Sequence, residues 1–257
     1  MCPQFIIIGA QRCGTTSLYR NLTEHPCVAA AFKKEVHFFD HQFERGVLWY
    51  RAHFPATFYR WYASRRFARA IITGEASPYY LFDPRAPLRI KKMLPDVKLL
   101  AILRNPVDRA YSQYHMNRRK GFETLAFPAA IDAEPQRLKE TETDTPADDF
   151  STLERRHFSY VARGIYVDQL KAWHEHFDAE QLLILRSEDF QVDPGQTLDA
   201  VYQFLRLPPH TIVDPEKSHV AEYEPMDAAV RSSLIDMFRP HNRRLEDYLG
   251  RRLNWDC

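Results

Sequence analysis

Apolar residues along the chain fall into short β-branched runs that alternate with stretches of helical spacing. Phe5-Ile6-Ile7-Ile8, ended by Gly9, is a continuous apolar run of the kind found in strands buried on both faces. After a glycine-bounded loop, Thr15 to Glu24 carries Leu18 and Leu22 one turn apart, and Pro26 marks the stop. Ala70 to Thr73, ending at Gly74-Glu75, then Lys98 to Leu103 and Leu182 to Leu185 predict further strands. Pro84 to Leu94 reads as a helix with Asp83 as its N-cap, and Asn105-Pro106 as an N-cap followed by proline at the first helical position. Tyr166, Leu170, Trp173 and Phe177 recur at i, i+4, i+7 and i+11, a helix with one buried stripe. A helix over Thr197 to Leu205 and a loop-like stretch over 208–226 precede a last helix over Asp227 to Leu249. That helix turns Val230, Leu234, Phe238, Leu245 and Leu249 inward and should kink at Pro240.

Three stretches break this rhythm. Lys33 to Asp40 (KKEVHFFD) is too aromatic for an ordinary solvated loop, and if extended its period of two puts Glu35, His37 and Phe39 on one face. Residues 49–69 interleave aromatics with arginines, which suits a stacking platform for a glycan or a single strand. The expectation adopted is a helical layer with rings packed inward and arginines in solvent. Residues 132–154 are acidic without a clear apolar period and read as a mobile connection or lid.

Composition narrows the function classes. With 35 Lys and Arg against 34 Asp and Glu, the formal charge of +1 gives no global field for nucleic acid or an anionic membrane, so any pull on an anion is local. The length of 257 residues is read as a single domain over 1–257. No apolar run approaches the roughly 18 residues of a membrane span, and the N-terminus lacks a signal-peptide pattern. The expectation is a soluble, cytoplasmic chain. Cys2, Cys13, Cys27 and Cys257 show neither CxxC spacing nor a dense framework, so reduced thiols are expected and no metal.

The local pull on an anion sits in Gly9-Ala10-Gln11-Arg12-Cys13-Gly14-Thr15-Thr16. This has the glycine spacing of the phosphate-binding P-loop, with Thr15 where lysine belongs. A strand that turns sharply into a helix aims backbone N–H groups and the positive dipole end at one spot, so anion binding survives the missing lysine. Triphosphate chemistry needs that lysine and an acid for magnesium, for which Glu75 is the sole candidate. A second clamp follows the strand at 98–103, where Arg104 lies at the carboxyl end of a parallel strand, the place where open α/β sheets bind ligands. On the next helix Asn105, Arg109 and Ser112 share one face, opposite Val107, Ala110, Tyr111 and Tyr114. The fold class is therefore α/β and P-loop-like, three layers with a central, mostly parallel sheet flanked by helices.

FIIIGAQRCGTTSLY over Phe5 to Tyr19, EVHFFD over Glu35 to Asp40 and LAILRNPVDRAYSQY over Leu100 to Tyr114 resemble three signatures of the sulfotransferases that use 3′-phosphoadenosine-5′-phosphosulfate (PAPS). The similarity is to the heparan sulfate sulfotransferase branch and its bacterial relatives and covers nearly the whole chain. It implies sulfuryl transfer from PAPS to a hydroxyl or amine of a carbohydrate, lipid or small metabolite. The product 3′-phosphoadenosine-5′-phosphate (PAP) is released, and no metal is needed. By position, Arg12, Cys13, Gly14, Thr15, Thr16 and Ser17 resemble the cradle of the 5′-phosphosulfate, and Arg104 with Ser112 the holder of the 3′-phosphate. Tyr166, in Arg163-Gly164-Ile165-Tyr166, joins the cofactor set. Glu35 matches the general base, Arg12 adds catalytic charge, and His37 either orients Glu35, touches the acceptor or is a packed histidine.

Departures are visible. Arg12 replaces the usual loop lysine, and the second-strand lysine of part of that group is replaced at Glu75, a side chain suited instead to an acceptor hydroxyl or a cation. The stretch matching the basic cofactor loop has no cysteines and keeps Lys217, Ser218 and His219 as candidates. The competing readings are a P-loop nucleotide kinase and a non-catalytic nucleotide- or glycan-binding module.

Overall fold

A computed structural model describes residues 2–256 except 57, 59–60, 62–64, 66–69, 145–152, 214 and 216–222. The chain forms two compact units, Met1–Leu103 with Trp173–His219, and Arg104–Ala172 with Val220–Cys257.

The first unit holds a five-stranded sheet, β1 Phe5–Gly9, β2 Val28–Ala30, β3 Ile72–Ala76, β4 Lys98–Leu103 and β5 Leu182–Arg186. Its order is β2-β3-β1-β4-β5 and every pairing is parallel. Phe5 stands opposite Gly74 on one side and Lys98 on the other. β1 is buried along its length, as is β4 from Leu99 to Leu103, which explains their unbroken apolar runs. The order reverses between β1 and β4, whose carboxyl ends flank the glycine loop. Ala10 N–H there donates to the Ile102 carbonyl at 2.8 Å. Helix α1, Thr15–Glu24, follows that loop and buries Leu18 and Leu22, as its spacing predicts.

Three readings are corrected in this unit. The edge strand β2 was not expected, because three residues with only Val28 buried make no apolar run. β3 extends to Ala76, so Glu75 lies within a strand and is fully buried rather than following it. Lys33 to Asp40 is not an extended segment. His37 adopts φ +58° and α2, Phe38–His41, starts at once, so Val36, Phe38 and Phe39 are all buried and no alternating face exists. Helix α3, Gly46–Arg51, supplies the buried Tyr50, and Phe54 is buried beyond it. Among the described residues beyond it, Phe58 and Trp61 are exposed, against the inward packing expected over 49–69, and Tyr59, Arg60, Tyr62, Arg66, Phe67 and Arg69 lie outside the described residues. Helix α4, Ala86–Met93, begins two residues late, with Asp83 accepting from the Arg85 N–H at 2.8 Å in the preceding turn.

In the second unit, α5 Pro106–Arg119 starts as predicted, with Asn105 accepting from the Val107 N–H at 3.0 Å. Its polar face is not solvated. Arg109, Gln113 and Asn117 are fully buried, and Arg109 donates to Gln113 and to the Tyr160 carbonyl. The acidic stretch is corrected over its described part, because α6 runs Phe127–Asp144 and α7 runs Leu153–Phe158. Phe127, Ala130, Ile131 and Glu134 form the buried stripe of α6, and Glu134 accepts from the N–H groups of Val161 at 2.7 Å and Ala162 at 2.9 Å. A glutamate at a core position hid the period. The stripe Tyr166, Leu170, Trp173 and Phe177 is buried throughout, α8 spanning Tyr166–His174. After β5 come α9, Ser187–Val192, and α10, Pro194–Phe204, which starts three residues early with Asp193 as its cap. The last helix, α11 Ala228–Leu249, starts one residue after the expected Asp227, which caps it, and buries Leu234, Phe238 and Leu245, with Pro240 inside it.

Candidate active site

In the glycine loop, Arg12 and Gly14 adopt φ +70° and +97°, and Gly14 is the residue from which α1 departs. Gly9 is needed for packing, since a Cβ there would lie 2.5 Å from Leu81 Cβ. Cys13, Thr15 and Ser17 are buried, and Arg12 is half-buried. With Thr16 near the helix start, the loop offers hydroxyls, one arginine and a helix N-terminus of ten residues, a set that favours a phosphate or sulfate oxygen.

Lys34, adjacent to Glu35 in sequence, also ties this loop to the EVHFFD stretch. Its Nζ donates to Thr16 Oγ1 at 2.7 Å and pairs with Glu35 Oε1 at 2.7 Å. Glu35 also lies 3.4 Å from His37 Nε2, and His37 Nδ1 meets Asp40 Oδ2 at 2.7 Å. Burial raises the Glu35 carboxyl, but hydrogen bonds from His37 and Lys34 and their charges outweigh it and hold it at about 2. Burial lowers His37, yet its bonds to Asp40 and Glu35 bring it up to about 9. Burial also opposes the Asp40 charge, but His37 and His41 hold that carboxyl well below the usual range. At neutral pH the row is carboxylate, imidazolium, carboxylate. His37, Asp40 and His41 bring one ligand atom each within 4.8 Å, with His37 bonded to Asp40 and His41 Nδ1 lying 3.0 Å from the same carboxylate.

The Asp40 carbonyl is fixed from behind by Arg85 Nη2 at 3.2 Å and Arg89 Nη1 at 3.0 Å, and Arg85 is held by Asp83 at 2.7 Å. Asp40 was missed because the period-two reading hid the i, i+3 pairing with His37 that a helical turn creates.

Glu75 takes neither role considered for it. Its carboxylate accepts from Tyr50 at 2.8 Å, Ser77 at 2.6 Å, Tyr80 at 3.2 Å and the Val36 N–H at 3.3 Å, enclosed among Phe38, Phe39, Tyr50 and Tyr80. With every lone pair engaged inside the core, it faces no magnesium-binding or acceptor surface.

In the second unit Arg104 is half-buried and Ser112 buried, and Tyr166, also buried, donates its hydroxyl to the Arg104 carbonyl at 2.9 Å. Tyr166 therefore braces the backbone of the expected clamp. Lys217, Ser218 and His219 lie outside the described residues.

The fold and loop define an α/β protein of the P-loop-like kind that lacks the triphosphate lysine. A family model for the sulfotransferase domain matches residues 2–230, and the chain belongs to that family of sulfuryl-transferring enzymes. It is similar to a crystal structure of a sulfotransferase from Alicyclobacillus acidocaldarius, with 31% identity, full coverage of both chains and a TM-score of 0.77. It is 28% identical to membrane-associated sulfotransferase kil1 of Dictyostelium discoideum, over 98% of this chain and 66% of that protein. A mouse bifunctional heparan sulfate N-deacetylase/N-sulfotransferase 4 is 30% identical over 97% of this chain and 30% of its own length. Mouse heparan sulfate glucosamine 3-O-sulfotransferase 3B1 is 29% identical over 99% and 65%. The chain thus spans from under a third to about two thirds of these curated relatives. Among the described residues, no helix is long and apolar enough to cross a membrane, and Cys2, Cys13 and Cys27 form no disulfide.

Proposed function

We propose that the chain transfers the sulfuryl group of PAPS to a hydroxyl or amine of a carbohydrate, lipid or small metabolite, with Glu35 as general base. The names of the heparan sulfate relatives favour a carbohydrate. The acceptor oxygen or nitrogen attacks sulfur, the bond from sulfur to the 5′-phosphate oxygen breaks, PAP leaves, and the acceptor proton passes to Glu35. Arg12, Gly14, Thr15, Thr16 and Ser17 hold the 5′-phosphosulfate, where N–H groups and cations stabilise charge growing on the leaving oxygen. Arg104 and Ser112 hold the 3′-phosphate, with forked guanidinium bonds suiting that group.

The observation that carries this reading is Lys34, 2.7 Å from both Thr16 of the loop helix and Glu35. A cation shared by a helix start that favours an anion and a nearby carboxylate supports a site where the donor's charged group and a base would meet. The test pairs binding with turnover. PAP should raise the thermal midpoint more than 5′-AMP or magnesium ATP, and Arg104→Ala should reduce that shift. Glu35→Gln should keep the shift while PAP formation from PAPS, screened over hydroxyl- and amine-bearing glycans, falls by about 10²- to 10⁴-fold. A larger shift with magnesium ATP, or full turnover in Glu35→Gln, would overturn the reading.

A further inference from the structure

Among the described residues, no strand pairs with the segment that carries Glu35 and His37. Three successive N–H groups of that segment converge on one buried carboxylate. Val36 donates directly to Glu75 Oε2 at 3.3 Å. His37 donates to Ser77 Oγ at 3.1 Å, and that hydroxyl donates to the same oxygen at 2.6 Å. Phe38 donates to the Tyr80 hydroxyl at 2.8 Å, which donates to Oε1 at 3.2 Å. Tyr50, stacked on Phe38 with ring centroids 4.7 Å apart, adds a fourth donor to Oε1 at 2.8 Å. On the adjacent residue, the Ala76 N–H donates to the Lys34 carbonyl at 3.0 Å. A strand residue thus serves as a template for residues 34–38.

We propose that Glu75 is a positioning residue for the Glu35 and His37 pair, its carboxylate setting the backbone of residues 36–38 and through it the aim of both side chains. This rests on the proposed base role of Glu35, and Glu75 itself touches neither donor nor acceptor. Only an ionised carboxylate accepts from all four donors at once. A glutamine offers one oxygen and confronts the remaining donors with an NH₂ group. Burial raises the Glu75 carboxyl to about 7 against bonds from Ser77, Tyr50, Val36 and Tyr80. The titratable groups coupled to it are Tyr19 of α1, Tyr50 of α3 and Tyr80, all raised by burial and by the Glu75 charge. The template therefore loosens as pH falls through neutrality.

The readout is the His37 titration midpoint, followed by NMR of the imidazole, which needs no acceptor. His37 is raised to about 9 only while Asp40 and Glu35 flank it, so the midpoint reports the aim of the row. Glu75→Gln and Ser77→Ala should each lower it by about one unit or more, since one unit is a modest loss of charge pairing. Both should also lower kcat while leaving KM for PAPS and the PAP-induced thermal shift unchanged. Tyr50→Phe, which removes a donor only from the far oxygen, should shift His37 less. If Glu75→Gln fails to fold, Ser77→Ala decides alone. An unmoved His37 midpoint in folded Ser77→Ala overturns the proposal. Full turnover in Glu35→Gln overturns the base role instead, which the NMR result does not depend on.

Discussion

His37 carries a proton because of what surrounds it, and that fixes how the site responds to pH. The flanking carboxylates Asp40 and Glu35 more than offset the cost of burial, so the imidazolium persists to about 9. Asp40 makes the shorter contact, 2.7 Å against 3.4 Å for Glu35. Asp40→Asn keeps the shape and the Arg85 and Arg89 bonds to the main-chain carbonyl but removes the charge. With the proposed base kept in line by a cationic His37, the alkaline limb of kcat should follow the His37 midpoint. Asp40→Asn should move that limb toward the ordinary histidine value by about one unit or more, visible in a rate profile from about pH 6 to about pH 10. A limb that stays in place assigns alkaline control to another group.

Elements closed by local signals were legible in advance, and elements held by distant partners were not. β1, α1, β4 and the start of α5 carry a continuous apolar run or a cap with glycine or proline at the boundary, and they appear with little or no shift. β2 is three residues pairing only with β3, a long-range choice that no local run records. α6 escaped notice because Glu134 occupies a core position, made tolerable by main-chain donors 27 and 28 residues away. The same holds within the site. Glu35 and His37 stood out by motif, while Asp40, Ser77 and Tyr50, and the bond from Lys34 to Thr16, matter through partners that only the fold brings close. Glycines at close approaches lie between these cases. The ideal Cβ of Gly9 would sit 2.5 Å from the Leu81 Cβ, an atom next to backbone that no rotamer change can move. Gly9→Ala should cost about 1–3 kcal/mol, the usual range for overpacking a filled core. Thermal unfolding of a chain this size should show it as a drop of several degrees. Gly121→Ala has open space and only the strain of φ +76°, so a Gly9→Ala drop no larger than that control would mean the loop can shift at little cost.

At the scale of the whole chain, the perturbed groups shape stability in opposite directions with pH. Glu35 is held at about 2 against an ordinary 4.5, so the folded chain binds fewer protons between those values and stability is lost as pH falls through them. Asp40 and Glu123 act in the same sense. Burial, with Arg156, Arg163 and Lys120 nearby, lowers His157 to about 4, so its neutral form favours folding until pH drops from 6.5 toward 4. Glu75 runs the other way. Raised from 4.5 to about 7, it keeps a proton that the unfolded chain releases, and stability falls as pH rises through that window. His157 and Glu75 therefore offset each other over most of the mildly acidic range. His37 has no such counterweight among the strongly shifted groups. Its stabilising charge is fully present below 6.5 and is lost as pH rises through about 9. The thermal midpoint should pass through a broad maximum near about pH 5 to 7 and then decline toward about pH 9, the alkaline side being set chiefly by one histidine. His37→Gln should flatten that decline and also weaken the acid limb, because His37 helps hold Glu35 and Asp40 low. Equal alkaline slopes for the two proteins would show that His37 is not the group whose proton the folded chain retains.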